Sequence, residues 1–153
     1  VTVKAWRLCD DRFAATIWSG IGARDHSGRW NSKGVAIAYA SATRSLAAPE
    51  QLAQMVSPRV LTGYVFASIT LDEVQVERLD PARLPRTWNA RVVDPATRAI
   101  GDRWASAGRA LALAVPSVVM PGEWNYLVNP AHPDFAVVVK SKPEPYAHDP
   151  RLA

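Results

Sequence analysis

Arg29, Tyr39, Glu50 and Ser117 are the side chains of this sequence whose types and settings point to chemistry. Arg29 stands between Gly28 and Trp30 in the polar loop "HSGRWNSKG". A guanidinium beside a glycine, where the backbone can come close, holds a phosphate or carboxylate through parallel N–H donors. The plainer alternative is a surface arginine stacked on Trp30. Tyr39 lies ten residues on, on the bulky side of an alternating run. It is either a core tyrosine with its hydroxyl satisfied locally or a platform for a flat ring. Glu50 interrupts an apolar helical stripe, and such carboxylates are seldom buried without a partner. The other setting for it is a solvent-facing glutamate near a helix start, where the dipole favours negative charge. Ser117 follows Pro116 with no Gly-x-Ser-x-Gly around it, so it reads as a hydrogen-bonded turn serine and not a nucleophile. His132, in "NPAHP", reads as structural.

The elements that must position these side chains are marked by prolines and by hydrophobic period. "KAWRLC" reads as a first strand, and most of residues 10–33 as irregular loop. The run 34–41 alternates Val35, Ile37 and Tyr39 with Ala36, Ala38 and Ala40, the period of two of a strand. "SATRSLAAPEQLAQM" reads as a helix that Pro49 either opens or bends. A strand is expected over 59–71, and residues 72–79 form another strand or a turn-linked extension. Asp94-Pro95 is a helix N-cap followed by proline at the first helical position, with Ile100, Trp104, Ala107 and Leu111 on one stripe. "ALAVPSVVM" and "DFAVVVKS" read as closing strands, and the stretch holding Asn125 and Asn129 as a turn-rich loop. Strands and two helices in mixed order indicate an α+β domain built on antiparallel sheets.

Composition narrows the function classes. The 153 residues are enough for one domain with a real core, and a single domain over 1–153 is expected. The lone Cys9 and three scattered histidines offer no metal-ligand cluster, so no metal is expected. With neither an apolar run of membrane-spanning length nor a leader-like start, the expectation is a soluble cytoplasmic protein. The net charge of +4 is spread along the chain. Two or three placed arginines would serve a small anionic ligand. A nucleic-acid-binding module built on Arg24, Arg29, Lys33 and the tryptophans is the alternative, without a basic block to support it.

Taken in order, "WRL", "GRWNSKGVAIAYAS", "SLAAPEQL", "VPSVVMPGEWNYLVNPAHP" and a final valine run resemble the RES domain family, bacterial toxins usually encoded beside an Xre-type antitoxin. The resemblance extends from Trp6 to about Lys140. The arginine, glutamate and serine that name the family match Arg29, Glu50 and Ser117. The resemblance implies a compact α+β fold similar to ADP-ribosyltransferases of the diphtheria-toxin type. It implies an activity on NAD as a consumed substrate: cleavage of the nicotinamide–ribose bond, with ADP-ribose passed to a host protein, water or phosphate. In that frame Arg29 and Arg7 hold the pyrophosphate or orient the ribose, and Tyr39 stacks on nicotinamide. Glu50 bonds a ribose hydroxyl and stabilises the cation, while Ser117, Trp30 and Asn125 line the substrate. Two positions depart from the family pattern: Pro49 stands where leucine commonly precedes the glutamate, and Gln54 where histidine commonly follows it by four.

Overall fold

The computed structural model describes residues 1–54 and 61–152. Its strands are β1 (Thr2–Asp10), β2 (Ala38–Ser41), β3 (Tyr64–Asp72), β4 (Val76–Arg78), β5 (Ala112–Pro116), β6 (Trp124–Val128) and β7 (Glu144–Pro145). They form one seven-stranded sheet in the order β4-β5-β6-β2-β1-β3-β7. Every pairing is antiparallel except β4 with β5. The helices are α1 (Ile21–Asp25), α2 (Arg44–Ala53) and α3 (Pro95–Ala107). The α+β expectation holds, with a mixed sheet.

Strand alternation divides the core in two. Ala5, Ala38, Ala40, Ala67, Ala112, Ala114 and Tyr126 face one side with Ile17 and Trp18. On the other side, Leu8 and Phe66 meet α2 through Ala47 and Ala48, and Ile37, Leu113, Val115 and Leu127 meet Trp30 and Trp104. Ser41 and Asn125, directly paired across β2 and β6, project to this second side. β1 and β2 meet at a single pair, Trp6 with Ser41, and then part. The Tyr39 carbonyl beyond the split accepts a hydrogen bond from Arg7 Nη1 at 2.8 Å instead of a ladder bond.

Helix starts follow the sequence signals. Thr43 Oγ1 caps α2 through the Leu46 N–H at 3.1 Å, and Asp94 Oδ1 caps α3 through the Ala96 N–H at 2.8 Å. Pro49 lies inside α2, past its first turn. The 72–79 segment is the turn-linked strand, β4 following a short 3-10 turn.

Several expectations are corrected. Only 38–41 of the 34–41 run is strand, because Asn31 and Ser32 take the carbonyl and N–H of Val35. The alternation itself is real, since Ile37 and Tyr39 join one cluster and Ala38 and Ala40 the other. β3 starts at Tyr64, after a turn at Gly63 with φ 72°; residues 59 and 60 of the expected strand lie outside the described residues. Helix α3 stops at Gly108, φ 63°, so Leu111 leads into β5 and its place on the stripe goes to Thr97 and Gly101. Residues 10–33 contain a 3-10 turn and α1. In "DFAVVVKS", Pro133 starts a 3-10 turn capped by His132, and Val137 and Val139 are 80% and 68% exposed. Of the expected turn-rich loop, residues 124–128 are β6, inside the sheet, where Ser41 and Glu50 satisfy the Asn125 amide; the loop begins at Asn129, whose Oδ1 accepts from the Ala131 N–H at 3.0 Å.

Candidate active site

Glu50 sits half-buried in α2, next to the sheet face that carries Asn125. Its Oε1 accepts two hydrogen bonds, from Ser117 Oγ at 2.6 Å and Asn125 Nδ2 at 2.7 Å. These donors come from the end of β5 and the start of β6, brought together by the hairpin between them. Asn125 Oδ1 accepts in turn from Ser41 Oγ at 2.7 Å. Ser117 Oγ also accepts from the Met120 N–H at 3.0 Å, so its one proton is directed to the carboxylate. Ser117 is 2% exposed and its hydroxyl is engaged on both sides, by Glu50 and by the Met120 N–H, which fits a positioning hydroxyl and not a nucleophile. Oε2 of Glu50 makes no hydrogen bond among the described residues.

Arg29 reaches the site from the other side. Its Nη1 donates to the Trp88 carbonyl at 2.8 Å. Partial burial lowers its pKa, and the charges of Glu50 and Tyr39 work against that shift, which places the guanidinium within the field of the carboxylate. The loop that carries it is held at nearly every backbone group. Asn31, fully buried, accepts at Oδ1 from the Gly28 N–H at 2.9 Å and from the Tyr39 hydroxyl at 2.5 Å. Its Nδ2 donates to the Ala23 carbonyl at 2.7 Å and the Val35 carbonyl at 3.1 Å. From α3, Arg98 Nε donates to the Gly28 carbonyl at 3.0 Å, Thr97 Oγ1 to the Arg29 carbonyl at 2.6 Å, and Asp102 Oδ1 accepts from the Ser32 N–H at 2.9 Å. A Cβ at Gly101 would stand 1.7 Å from the Trp30 carbonyl oxygen, so α3 comes this close only because the residue is glycine.

Tyr39 is tied into the same loop: its hydroxyl also accepts from the Trp30 N–H at 3.2 Å. Burial pushes its pKa far above the ordinary phenol range. The face of its ring is what remains for a ligand. Trp30, expected beside the substrate, is 4% exposed and packs in the core with Trp104; that expectation is corrected. Arg7 is half-buried where β1 and β2 part, on the opposite sheet side from Asn125 by register. Desolvation lowers its pKa, and its Nε has no partner among the described residues.

A cleft of about 240 Å³ opens beside Ser117, between Trp88, Asn89, Pro116, Val118 and Trp124. Arg78 lies over the Trp124 ring at 4.3 Å from its centroid. The cleft therefore shares Ser117 with the carboxylate cluster and Trp88 with the arginine loop. Among the described residues no three His, Cys, Asp or Glu side chains lie together as metal ligands, and no helix is long and apolar enough to cross a membrane.

The structure thus gathers Arg29, Tyr39, Glu50, Ser117 and Asn125, and adds Asn31, Ser41, Trp88 and the inner face of α3. Among the additions only Gly101 carried a sequence signal, an isolated glycine inside a helical pattern.

Comparison with known proteins extends this description. The family model described as "RES domain" matches residues 4–149. The chain is 37% identical over 157 residues to the "Prs ADP-ribosylating toxin" of Sphingobium sp. (strain YBL2), covering 99% of this chain and 98% of that protein. It is 34% identical to "Toxin Res" of Yersinia enterocolitica, covering 96% and 97%. Among solved structures, the crystal structure of the M. tuberculosis MbcT-MbcA toxin-antitoxin complex contains a chain with the same fold, at TM-score 0.75 and 18% identity over 94% of this chain and 84% of that one.

Proposed function

The chain belongs to the RES domain family, and from that premise we propose that it is the toxin of a toxin–antitoxin pair, an enzyme that cleaves the nicotinamide–ribose bond of NAD and passes the ADP-ribose to an acceptor. NAD is consumed in each turnover. The observation that carries this reading is the pair of donors on Oε1 of Glu50, which orients the carboxylate and leaves Oε2 available among the described residues.

As the bond between ribose C1 and the ring nitrogen breaks, its electron pair passes to the nicotinamide, and positive charge builds on the ribose. A carboxylate already oriented toward that charge stabilises it without further reorganisation. Oε2 of Glu50 takes a ribose hydroxyl or faces the cationic carbon. Arg29 holds the pyrophosphate, and Arg7, on the other sheet side, braces through the Tyr39 carbonyl the strand that carries the Tyr39 ring. The nicotinamide stacks on the ring of Tyr39, which packs in the same cluster as Trp88 of the cleft wall. Ser117 and Asn125 hold the carboxylate that acts on the ribose.

The acceptor is a protein side chain, water or phosphate. The likeness to a protein named as an ADP-ribosylating toxin supports the first. The fold shared with a chain of a toxin–antitoxin complex accords with an antitoxin partner, here an Xre-type protein that covers the cleft. The test is to incubate the purified chain with NAD, with and without phosphate and bacterial lysate, and to follow nicotinamide and ADP-ribose together. Turnover without lysate assigns water or phosphate as acceptor. Turnover only with lysate, with ADP-ribose on a protein band, assigns a protein target. No nicotinamide release under any condition overturns the reading.

A further inference from the structure

We infer that Ser41 is a positioning residue of this site, acting through Asn125 to hold the Asn125 amide at the angle that meets Glu50. The inference rests on the reading of Glu50 as the working carboxylate. The logic is one of donors and acceptors. An ionised carboxylate only accepts, so the amide must present Nδ2 to Oε1 and its oxygen must point away. An amide can rotate by half a turn with almost no change in shape, so packing alone does not choose between its ends. The carboxylate makes the choice, and the Ser41 hydroxyl, 2.7 Å from Asn125 Oδ1 and able to donate to it, satisfies the buried oxygen that this choice leaves over and holds the amide at one angle. Ser41 is 3% exposed, so little solvent can substitute for it.

The placement also follows from the strand register. Ser41 is directly opposite Asn125 on β6 and opposite Trp6 on β1, at the last position before β1 and β2 part. It therefore stands on backbone held from both sides, a firm mount for a group that must hold an angle. Without the hydroxyl, Asn125 Oδ1 loses its partner among buried groups, and the amide is free to tilt away from Oε1. Glu50 then keeps Ser117 as its one firmly placed donor.

The experiment is a double-mutant cycle on NAD consumption with kcat and KM resolved. Ser41→Ala is expected to lower kcat about tenfold, the loss associated with one hydrogen bond, with KM for NAD within about twofold. Ser41→Thr, which keeps the hydroxyl on a strand that favours β-branched residues, is expected to restore kcat. In an Asn125→Ala background, Ser41→Ala is expected to cost nothing more, because its only route to Glu50 has gone. A Ser41→Ala enzyme with wild-type kcat, or losses that multiply in the double variant, overturns the inference. Should Ser41→Ala fail to fold, NMR of the wild-type chain serves instead. The Ser41 hydroxyl proton, held on Asn125 Oδ1, should exchange with water slowly enough to be observed, and a hydroxyl proton lost to rapid exchange overturns it. If the wild-type chain leaves NAD intact, the proposed function fails while the NMR result still reports on the network. If it consumes NAD and ignores Ser41, only this inference fails.

Discussion

At the residue scale, Glu50 and Arg29 have separable tasks that kinetics can tell apart. Glu50 is held by two donors on one oxygen and, in the proposed function, acts where charge develops. Glu50→Gln keeps the side-chain shape and removes the charge, and the amide can accept the same two bonds at its oxygen. It is expected to fold normally and lose about a hundredfold or more in kcat, on the order of 3 kcal/mol, measured by nicotinamide release beside a melting curve. In the proposed function Arg29 holds the anionic part of NAD, which is unchanged through the reaction. Arg29→Ala is therefore expected to raise Kd for NAD by about tenfold or more in calorimetric titration, with a smaller effect on kcat. Both residues were legible as candidates from their settings in the chain. Their partners were not, because Ser117 and Asn125 lie 67 and 75 residues from Glu50 in sequence, and Trp88 lies 59 from Arg29.

At the scale of elements, α3 is the part of the fold that holds the arginine loop. Gly101→Ala sets a methyl group against the Trp30 carbonyl, backbone that cannot swing aside. It is expected to destabilise the chain by about 1–3 kcal/mol by denaturant titration, and to weaken NAD binding by shifting Arg29. The same helix has a pH-dependent start. Hydrogen bonds from Thr87 and from the Ala96 N–H hold the Asp94 carboxyl below its ordinary pKa. Since the folded-state pKa is depressed, the cap's contribution is complete above the unfolded value of about 3.9 and fades as pH falls through the folded one. Asp94→Asn keeps a capping oxygen and removes the titration, so unfolding measured from pH 6 to 3 is expected to show a shallower loss of stability than the wild type. The start of α3 was readable because Asp94 and Pro95 act on their own neighbours. Its stripe was misread beyond Gly108, where a local left-handed turn ends the helix before Leu111.

At the scale of the whole molecule, the tail from Glu144 onward braces the helix that carries Glu50. Tyr146 meets Phe66 edge to face at 5.1 Å between centroids, in the cluster that also holds Ala47 and Ala48 of α2. His148 Nδ1 accepts from the Leu61 N–H at 3.3 Å. Ending the chain at Ser141 is expected to cost about 2–4 kcal/mol of stability from the exposed apolar surface, and to lower kcat by loosening α2, read by melting and NAD turnover on one preparation. The sequence by itself determined the strand and helix starts set by neighbouring residues, the α+β class, and the order of motifs that carries the family resemblance. Each is a local or one-dimensional property, fixed by caps, prolines and side-chain period. Only the tertiary structure decided that "DFAVVVKS" opens as a 3-10 turn and meets β3 at an isolated bridge of Lys140 with Ile69, while the segment holding Asn125 is a full strand inside the sheet. It alone decided that Trp30 is core and that Ser41, Asn125, Glu50 and Ser117 form one chain of hydrogen bonds. Those outcomes depend on which residues meet across the sheet, since a buried polar group is placed by the partner that satisfies it, and that partner lies far away along the chain.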